Sequence, residues 1–145
     1  MEPDLADPRR RARESALQML YQWEVGRLDL PEVFETFPRV RPVRLDAAHE
    51  AFAQALARAV VARLGEVDGL IDARTDNWRF ERLAVIDRLV LRLAVAEMLE
   101  WPETPPVAVL NEALELARRY SGEAAVKFVN GVLDAVRREI ESRRA

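Results

Sequence analysis

The segment from Leu83 to Leu99 carries apolar residues around nearly its whole circumference when it is drawn as an α-helix. A helix that is apolar on all sides is buried either in protein or in lipid. Lipid is excluded because charged residues such as Asp87 and Arg92 interrupt the segment. The chain also lacks the run of about 18 uncharged apolar residues that a membrane helix needs. The sequence therefore predicts a helical protein built around one central, buried helix.

Helix signals continue on both sides of this segment. Before it, they predict a helix opened by Asp7-Pro8 that runs to Gly26, a short helix from Pro31 to Phe37, a loop over Pro38 to Pro42, and a long helix capped by Asp46 that ends near Arg74.

After the central segment, Pro102 ends its helix and Thr104-Pro105 opens another. The predicted core face of that helix carries Val107, Leu110, Leu114 and Ala117. Following Ser121-Gly122, a final helix places its predicted core face on Ala125, Val126, Val129, Val132, Leu133, Val136 and Ile140.

The expected fold class is all-α, with about six to seven helices and no β-strands. Leu, Ala, Val, Arg and Glu dominate the composition, whereas the chain has only 5 glycines. The break near residues 75 to 77 predicts two three-helix-bundle halves, roughly 8–74 and 77–143, that share one core within a single domain over 1–145.

Composition excludes several kinds of chemistry. The chain has no cysteine and one histidine, His49, which excludes a thiolate nucleophile and the usual zinc ligand sets. It has no glycine-rich phosphate loop or nucleophile elbow, and Asp87 and Glu97 are too weak a signal for an acid/base pair. We expect a protein without catalytic residues, metal or cofactor. The acidic start, MEPDLADP, is unlike a secretory signal, so we expect a cytoplasmic protein.

A net charge of −3 means that nucleic-acid binding would need a local basic patch. The only dense one is PRRRARE, where Arg9, Arg10, Arg11 and Arg13 crowd the first turns of a helix and so oppose its dipole. A solvated charge run, partly neutralised by nearby acids, is one interpretation. A phosphate clamp is the other, because guanidinium groups bind phosphate bidentately.

The stretch KFVNG places a glycine in the middle of the final helix, where it costs about 1 kcal/mol relative to alanine. Lys127, Asn130, Gly131 and Asp134 recur at helical spacing on the side away from the core face. One interpretation is that Gly131 lets a second helix approach closely. The other is a contact surface of cation, amide and bare backbone, with Phe128 beside it as a stacking platform.

Charged residues also interrupt the central helix. Intramolecular salt bridges of Asp87 and Glu97, with Arg74 or Arg82, are one explanation. A charged partner-protein interface that includes Arg88 and Arg92 is the alternative.

Three segments together resemble the bacterial NusB family of transcription antitermination factors. They are RRRARESALQMLYQWE, IDRLVLRLAVAEM and NEALELARRYSGEAAVKFVNGVLDAVRRE, and the resemblance spans residues 8 to 139. Many relatives have acidic or polar residues just before Lys-Phe, where this chain has Ala124, Ala125 and Val126.

The resemblance implies two three-helix-bundle halves that bind the boxA element of nascent ribosomal RNA together with NusE, a small-subunit ribosomal protein, and so assist RNA polymerase. The implied RNA-binding residues are Arg9, Arg10, Arg11, Arg13, Lys127, Phe128 and Asn130, and Tyr21 is expected to join Phe128 in contacting bases. The implied residues for NusE binding are Glu81, Asp87, Arg88 and Arg92.

Two alternatives are a helical protein-binding module without specific RNA binding, and a NusB-like domain related to RNA methyltransferases. A homodimer that hides the RNA surface is also compatible with the sequence. No membrane partner is expected.

Overall fold

Seven α-helices and one 3₁₀ turn account for most of the residues that the structure describes, which are 8–40, 44–75 and 80–144 of a computed structural model. No β-strand occurs within these ranges, so the predicted all-α class is confirmed. The elements are α1 (Pro8–Glu24), α2 (Leu30–Val40), α3 (Ala47–Ala62), α4 (Leu64–Asp72), the 3₁₀ turn (Phe80–Arg82), α5 (Val85–Glu100), α6 (Pro106–Tyr120) and α7 (Glu123–Arg144).

The chain divides into two compact units, Met1–Arg58 and Ala59–Ala145, with the boundary inside α3. The sequence predicts a division near residues 75 to 77, and this stays a prediction because Asp76 and Asn77 lie outside the described residues. The predicted cap at Asp7 and the end of the predicted loop at residues 41 and 42 lie outside them as well.

The core of the first unit joins α1, α2 and the start of α3. Its buried residues include a cluster against which Leu28, Phe34 and Phe52 pack while half-buried. The members of that cluster are Ala12, Met19, Val33, Phe37, Leu45 and Ala53. The second helix is longer than predicted, because α2 continues through Pro38 to Val40. Proline lacks the backbone N–H that would donate to the carbonyl oxygen of Phe34, so the helix continues past Pro38 with one hydrogen bond fewer.

The core of the second unit is built around α5, whose residues from Leu89 to Met98 are all buried. It packs against α4, α6 and α7, so the predicted central helix is confirmed. Helix α7 buries five residues of its predicted core face, whereas the other two, Ala125 and Val126, are half-buried. The buried ones are Val129, Val132, Leu133, Val136 and Ile140.

The predicted long helix from Asp46 to Arg74 is wrong in one respect, because it consists of two helices. Arg63 separates α3 from α4 with a backbone φ of −112° and ψ of 26°. The apolar period runs on through this break, so the period alone does not reveal it. The side chain of Arg63 then pairs with Glu66 and Glu100, each at 3.1 Å.

The predicted core face of α6 is also partly wrong. Val109, Leu110, Ala113, Leu116 and Ala117 are buried, whereas Val107 is 49% exposed and Leu114 is half-buried. The buried arc is centred near Ala113, and at 100° per residue Val107 lies about 120° away from that centre.

The predicted cap at Asp46 is present at the start of α3. The backbone N–H of His49 donates to Asp46 Oδ1 at 2.9 Å, and His49 Nδ1 lies 2.8 Å from the same oxygen. The backbone hydrogen bond is the main reason that the pKa of Asp46 is lowered. Among the described helices, none combines the length and the apolar character required to cross a bilayer.

Candidate nucleic-acid interface

The four arginines of α1 lie in different environments within the first unit. Arg9 is exposed, Arg10 and Arg11 are half-buried, and Arg13 is only 7% exposed. The guanidinium carbon of Arg9 lies 4.4 Å from the ring centroid of Phe52, and that of Arg13 lies 5.7 Å from it. Two cations therefore share one aromatic ring, and this contact contributes roughly 0.5 to 1 kcal/mol at an exposed site.

Stacking on a ring uses the flat face of a guanidinium, whereas its N–H donors lie in the plane. The contact with Phe52 therefore restrains the position of Arg9, and a parallel stack leaves bidentate phosphate binding geometrically allowed. This explains how cations that oppose the dipole of α1 can be kept ordered at its start.

Arg13 and Arg11 are less exposed than Arg9, so the arginine cluster is not uniformly exposed. The burial of Arg13 gives it a packing role in the first unit, while its predicted contact with RNA stays a prediction. The Nε atom of Arg11 is buried and has no hydrogen-bond partner among the described residues. Tyr21, 42% exposed, lies close to three turns beyond Arg10 on the same side of α1.

In the second unit, α7 carries the KFVNG residues away from its buried face, as the pattern predicts. Lys127, Asn130 and Gly131 are exposed, and Phe128 is half-buried. No ion pair of Lys127 occurs within the described part of the chain. Asp134 is held by Arg137 at 2.7 Å and by Arg138 at 3.0 Å, and the hydrogen bond from Arg137 is the main cause of its lowered pKa.

Phe128 separates two clefts on the second unit. A cleft of about 500 Å³, called here the Gly131 cleft, is lined by Ala73, Arg74, Thr75, Lys127, Phe128, Gly131, Val132 and Ala135. A second cleft of about 510 Å³ is lined by Arg82, Leu83, Ala84, Asp87, Ser121, Ala124, Ala125 and Phe128. Asn130 lines neither of them, so the predicted group of Lys127, Phe128 and Asn130 is only partly brought together.

The interpretation of Gly131 as a helix-packing glycine is wrong for the described residues. A Cβ atom built at this position meets no atom within 4 Å. No close packing within the chain therefore offsets the roughly 1 kcal/mol that a glycine costs inside a helix.

Two charged residues of the central helix, Arg92 and Asp87, have intramolecular partners, and the partner of Asp87 is Ser121 rather than Arg74 or Arg82. Arg92 is 7% exposed and binds Asp68 bidentately, with Nε–Oδ1 and Nη2–Oδ2 distances of 2.8 and 2.9 Å. Asp87 accepts a hydrogen bond from Ser121 Oγ at 2.6 Å. The Nη2 atom of Arg74 pairs with Glu139 at 2.7 Å.

The four predicted partner-binding residues are therefore unequally accessible. Glu81 is exposed, Asp87 and Arg88 are half-buried, and Arg92 is buried. Arg88 donates to the carbonyl oxygen of Leu83 at 3.3 Å, and Arg92 lies 5.2 Å from the ring centroid of Phe80. Burial gives Arg92 a structural role, and partner contact through the other three stays a prediction.

Sequence reasoning missed Phe52 as the platform for Arg9, and Arg74 and Thr75 as walls of the Gly131 cleft. Phe52 fits the apolar period of α3 and so reads as an ordinary core residue. Arg74 and Thr75 reach Lys127 only through the packing of α4 against α7. No local sequence signal marks that contact.

The helical arrangement matches solved structures of antitermination proteins. NusB of T. maritima gives a TM-score of 0.82 at 36% identity, covering 92% of this chain and 92% of that chain. A chain in a crystal structure of the antitermination factors NusB and NusE in complex with dsRNA gives a TM-score of 0.82 at 29% identity, covering 91% and 97%. The class that these structures define is the helical transcription antitermination protein.

Sequence comparison identifies the family within this class. The NusB family matches residues 10–138. Transcription antitermination protein NusB of Koribacter versatilis (strain Ellin345) is 43% identical over 136 residues, which cover 94% of this chain and 92% of that relative. The chain therefore belongs to the NusB family.

Proposed function

We propose that this protein is a transcription antitermination factor that binds the boxA element of nascent ribosomal RNA together with NusE and thereby assists RNA polymerase during elongation. The observation that carries this proposal is the near full-length likeness to a chain crystallised with NusE and RNA. Such a factor would act in the cytoplasm, where transcripts emerge from the polymerase.

In this proposal, the start of α1 binds RNA phosphates. Arg9 is the exposed member of the cluster and contacts the ring of Phe52, whereas Arg10 and Arg11 are half-buried. Arg11 would add positive charge to this RNA-binding surface from a half-buried position, and Arg13 would do so from a largely buried one. Because the whole chain is acidic, the affinity arises from this local charge and should fall steeply with salt.

Sequence preference would come from unpaired bases, which can stack on aromatic side chains. Tyr21 on α1 and Phe128 on α7 are the accessible aromatic residues for this role, with Lys127 and Asn130 beside Phe128. NusE binding at Glu81, Asp87 and Arg88 would add contacts to the same RNA and so raise the affinity of the complex.

The test is fluorescence anisotropy with a boxA RNA, a scrambled RNA of equal length and a duplex RNA competitor, titrated with and without NusE at fixed salt. We expect a preference for boxA that strengthens when NusE is present. Equal, weak binding to all three RNAs that NusE does not change would contradict the proposal and support a protein-binding module.

A further inference from the structure

The Gly131 cleft holds two cationic side chains and no acidic one among the residues that line it. Lys127 and Gly131 are one helical turn apart on α7, and Arg74 and Thr75 follow the end of α4 opposite them. We propose that this cleft is a seat for a phosphodiester group of the bound RNA, with the RNA backbone passing directly over the α7 backbone at Gly131. This inference rests on the proposed function, since it names how one segment of that RNA is held.

The glycine supplies the main argument. Its helix position is exposed, and an added Cβ would meet nothing within 4 Å, so folding does not need a glycine there. A glycine inside a helix is selected against unless something else uses the bare backbone. An external ligand that must approach the helix closely is such a use, and close backbone approach is typical of phosphate-binding glycines.

Charge complementarity identifies the ligand as an anion. Lys127 has no ion pair within the described residues, and a lysine ammonium binds phosphate as a point charge. Arg74 is paired with Glu139 at 2.7 Å, but both side chains are about one-third exposed, at 37% and 33%. Exposed pairs of this kind are weak, so a phosphate can take the place of Glu139 on the Arg74 guanidinium.

The ring of Phe128 forms the wall between this seat and the neighbouring cleft. An RNA chain whose phosphate rests at Lys127 and Gly131 therefore has an aromatic surface within one nucleotide of it. Side-by-side binding of phosphate and base favours a single RNA strand over a folded protein partner as the occupant.

The decisive experiment compares Gly131→Ala with Gly69→Ala. Gly69 is also helical and exposed, and a Cβ there also meets nothing within 4 Å, so it is a matched control. Both variants should melt at a higher temperature than the parent protein. Only Gly131→Ala should bind boxA RNA more weakly, by about tenfold, because the methyl group overpacks the contact.

Each other outcome overturns the inference in a recognisable way. If the parent protein prefers boxA and Gly131→Ala binds it equally well, the seat is wrong and the proposed function stands. If both glycine variants bind boxA RNA more weakly by the same factor, the loss comes from stiffening a helix in general and not from the position of Gly131. Loss of NusE binding with RNA binding intact would assign the cleft to protein. A parent protein that does not bind boxA would remove both proposals.

The single lysine of the chain gives an independent readout. The boxA RNA should protect Lys127 from amine acetylation, as measured by mass spectrometry, and a scrambled RNA of equal length serves as the reference. Unchanged acetylation of Lys127 at saturating RNA would overturn the seat.

The replacement of Glu139 by an RNA phosphate on the Arg74 guanidinium is tested with Glu139→Gln, which removes the competing carboxylate. We expect this variant to bind boxA RNA about two- to fivefold more tightly than the parent protein. The double variant Arg74→Gln/Glu139→Gln should bind more weakly than Glu139→Gln. If Glu139→Gln binds no more tightly, Arg74 takes no part in the seat.

Discussion

Individual arginines of α1 have separable roles, because their burial differs within two turns of helix. Arg9 stacks on Phe52 from an exposed position, whereas Arg13 approaches the same ring while only 7% exposed. A buried arginine contributes packing through its aliphatic stem as well as charge. Mutation of each residue should therefore report on a different property of the protein.

Replacing Arg9 and Arg10 together by Ala should weaken boxA binding and make it less sensitive to salt. Loss of two phosphate contacts on a single strand should reduce the slope of log K against log salt by about 1.4. Anisotropy titrations at several salt concentrations measure this slope. Arg39→Ala, near the end of α2, removes an exposed cation and is the control. An unchanged slope in the double variant would contradict the phosphate clamp.

Arg13→Ala should lower the melting temperature more than Arg10→Ala does, since it removes a buried side chain that contacts Phe52. Thermal unfolding followed by circular dichroism measures the difference. If Arg13→Ala melts like the parent protein, its buried position does not stabilise the first unit.

Between elements, a charged pair contributes to the contact of α4 with α5. Arg92 binds Asp68 with two hydrogen bonds while it also faces Phe80. Removal of one partner of a largely buried pair leaves the other uncompensated, so Arg92→Ala should cost about 3 kcal/mol in the free energy of unfolding. Urea unfolding measures this cost. The double variant Arg92→Met/Asp68→Leu should lose less free energy of unfolding than Arg92→Ala. Equal losses in the two variants would mean that packing rather than charge holds α4 against α5.

The cap of α3 predicts a pH dependence. The pKa of Asp46 is lowered from 3.8 in the folded protein, chiefly by the backbone N–H of His49. A lowered folded pKa means that the stabilisation is complete above the unfolded value and disappears as the pH falls through the folded one. Asp46→Ala should therefore melt below the parent protein at neutral pH. The gap between their melting temperatures should narrow in acid, and a gap that is constant with pH would contradict the cap.

At the scale of the whole molecule, RNA and NusE are expected to use different surfaces. Asp87→Arg should weaken NusE binding much more than boxA binding, because it reverses a charge on α5 that lies outside the arginine cluster. Ser121→Ala removes the 2.6 Å hydrogen bond to Asp87 and keeps the carboxylate, so it is the matched control. Equal loss of both activities in a folded Asp87→Arg protein would mean that the two surfaces are not separate.

The helical class, the buried faces of α5 and α7, the cap at Asp46 and the outward position of Lys127 and Gly131 could all be predicted from the amino-acid sequence. These properties follow from local spacing, because a helix repeats every 3.6 residues and its ends need specific side chains. The same rules predict that a helix begins at Pro8, so the arginines that follow lie in its first turns.

The packing of the helices sets which of those residues are accessible and what they contact. Asp68 reaches Arg92, Phe52 reaches Arg9, and Arg74 reaches the Gly131 cleft across gaps in sequence that no local pattern encodes. Burial of Arg13 and the empty space around Gly131 likewise depend on neighbours from other helices. Helical periodicity specifies the direction of a side chain, whereas the packing of helices specifies its partner.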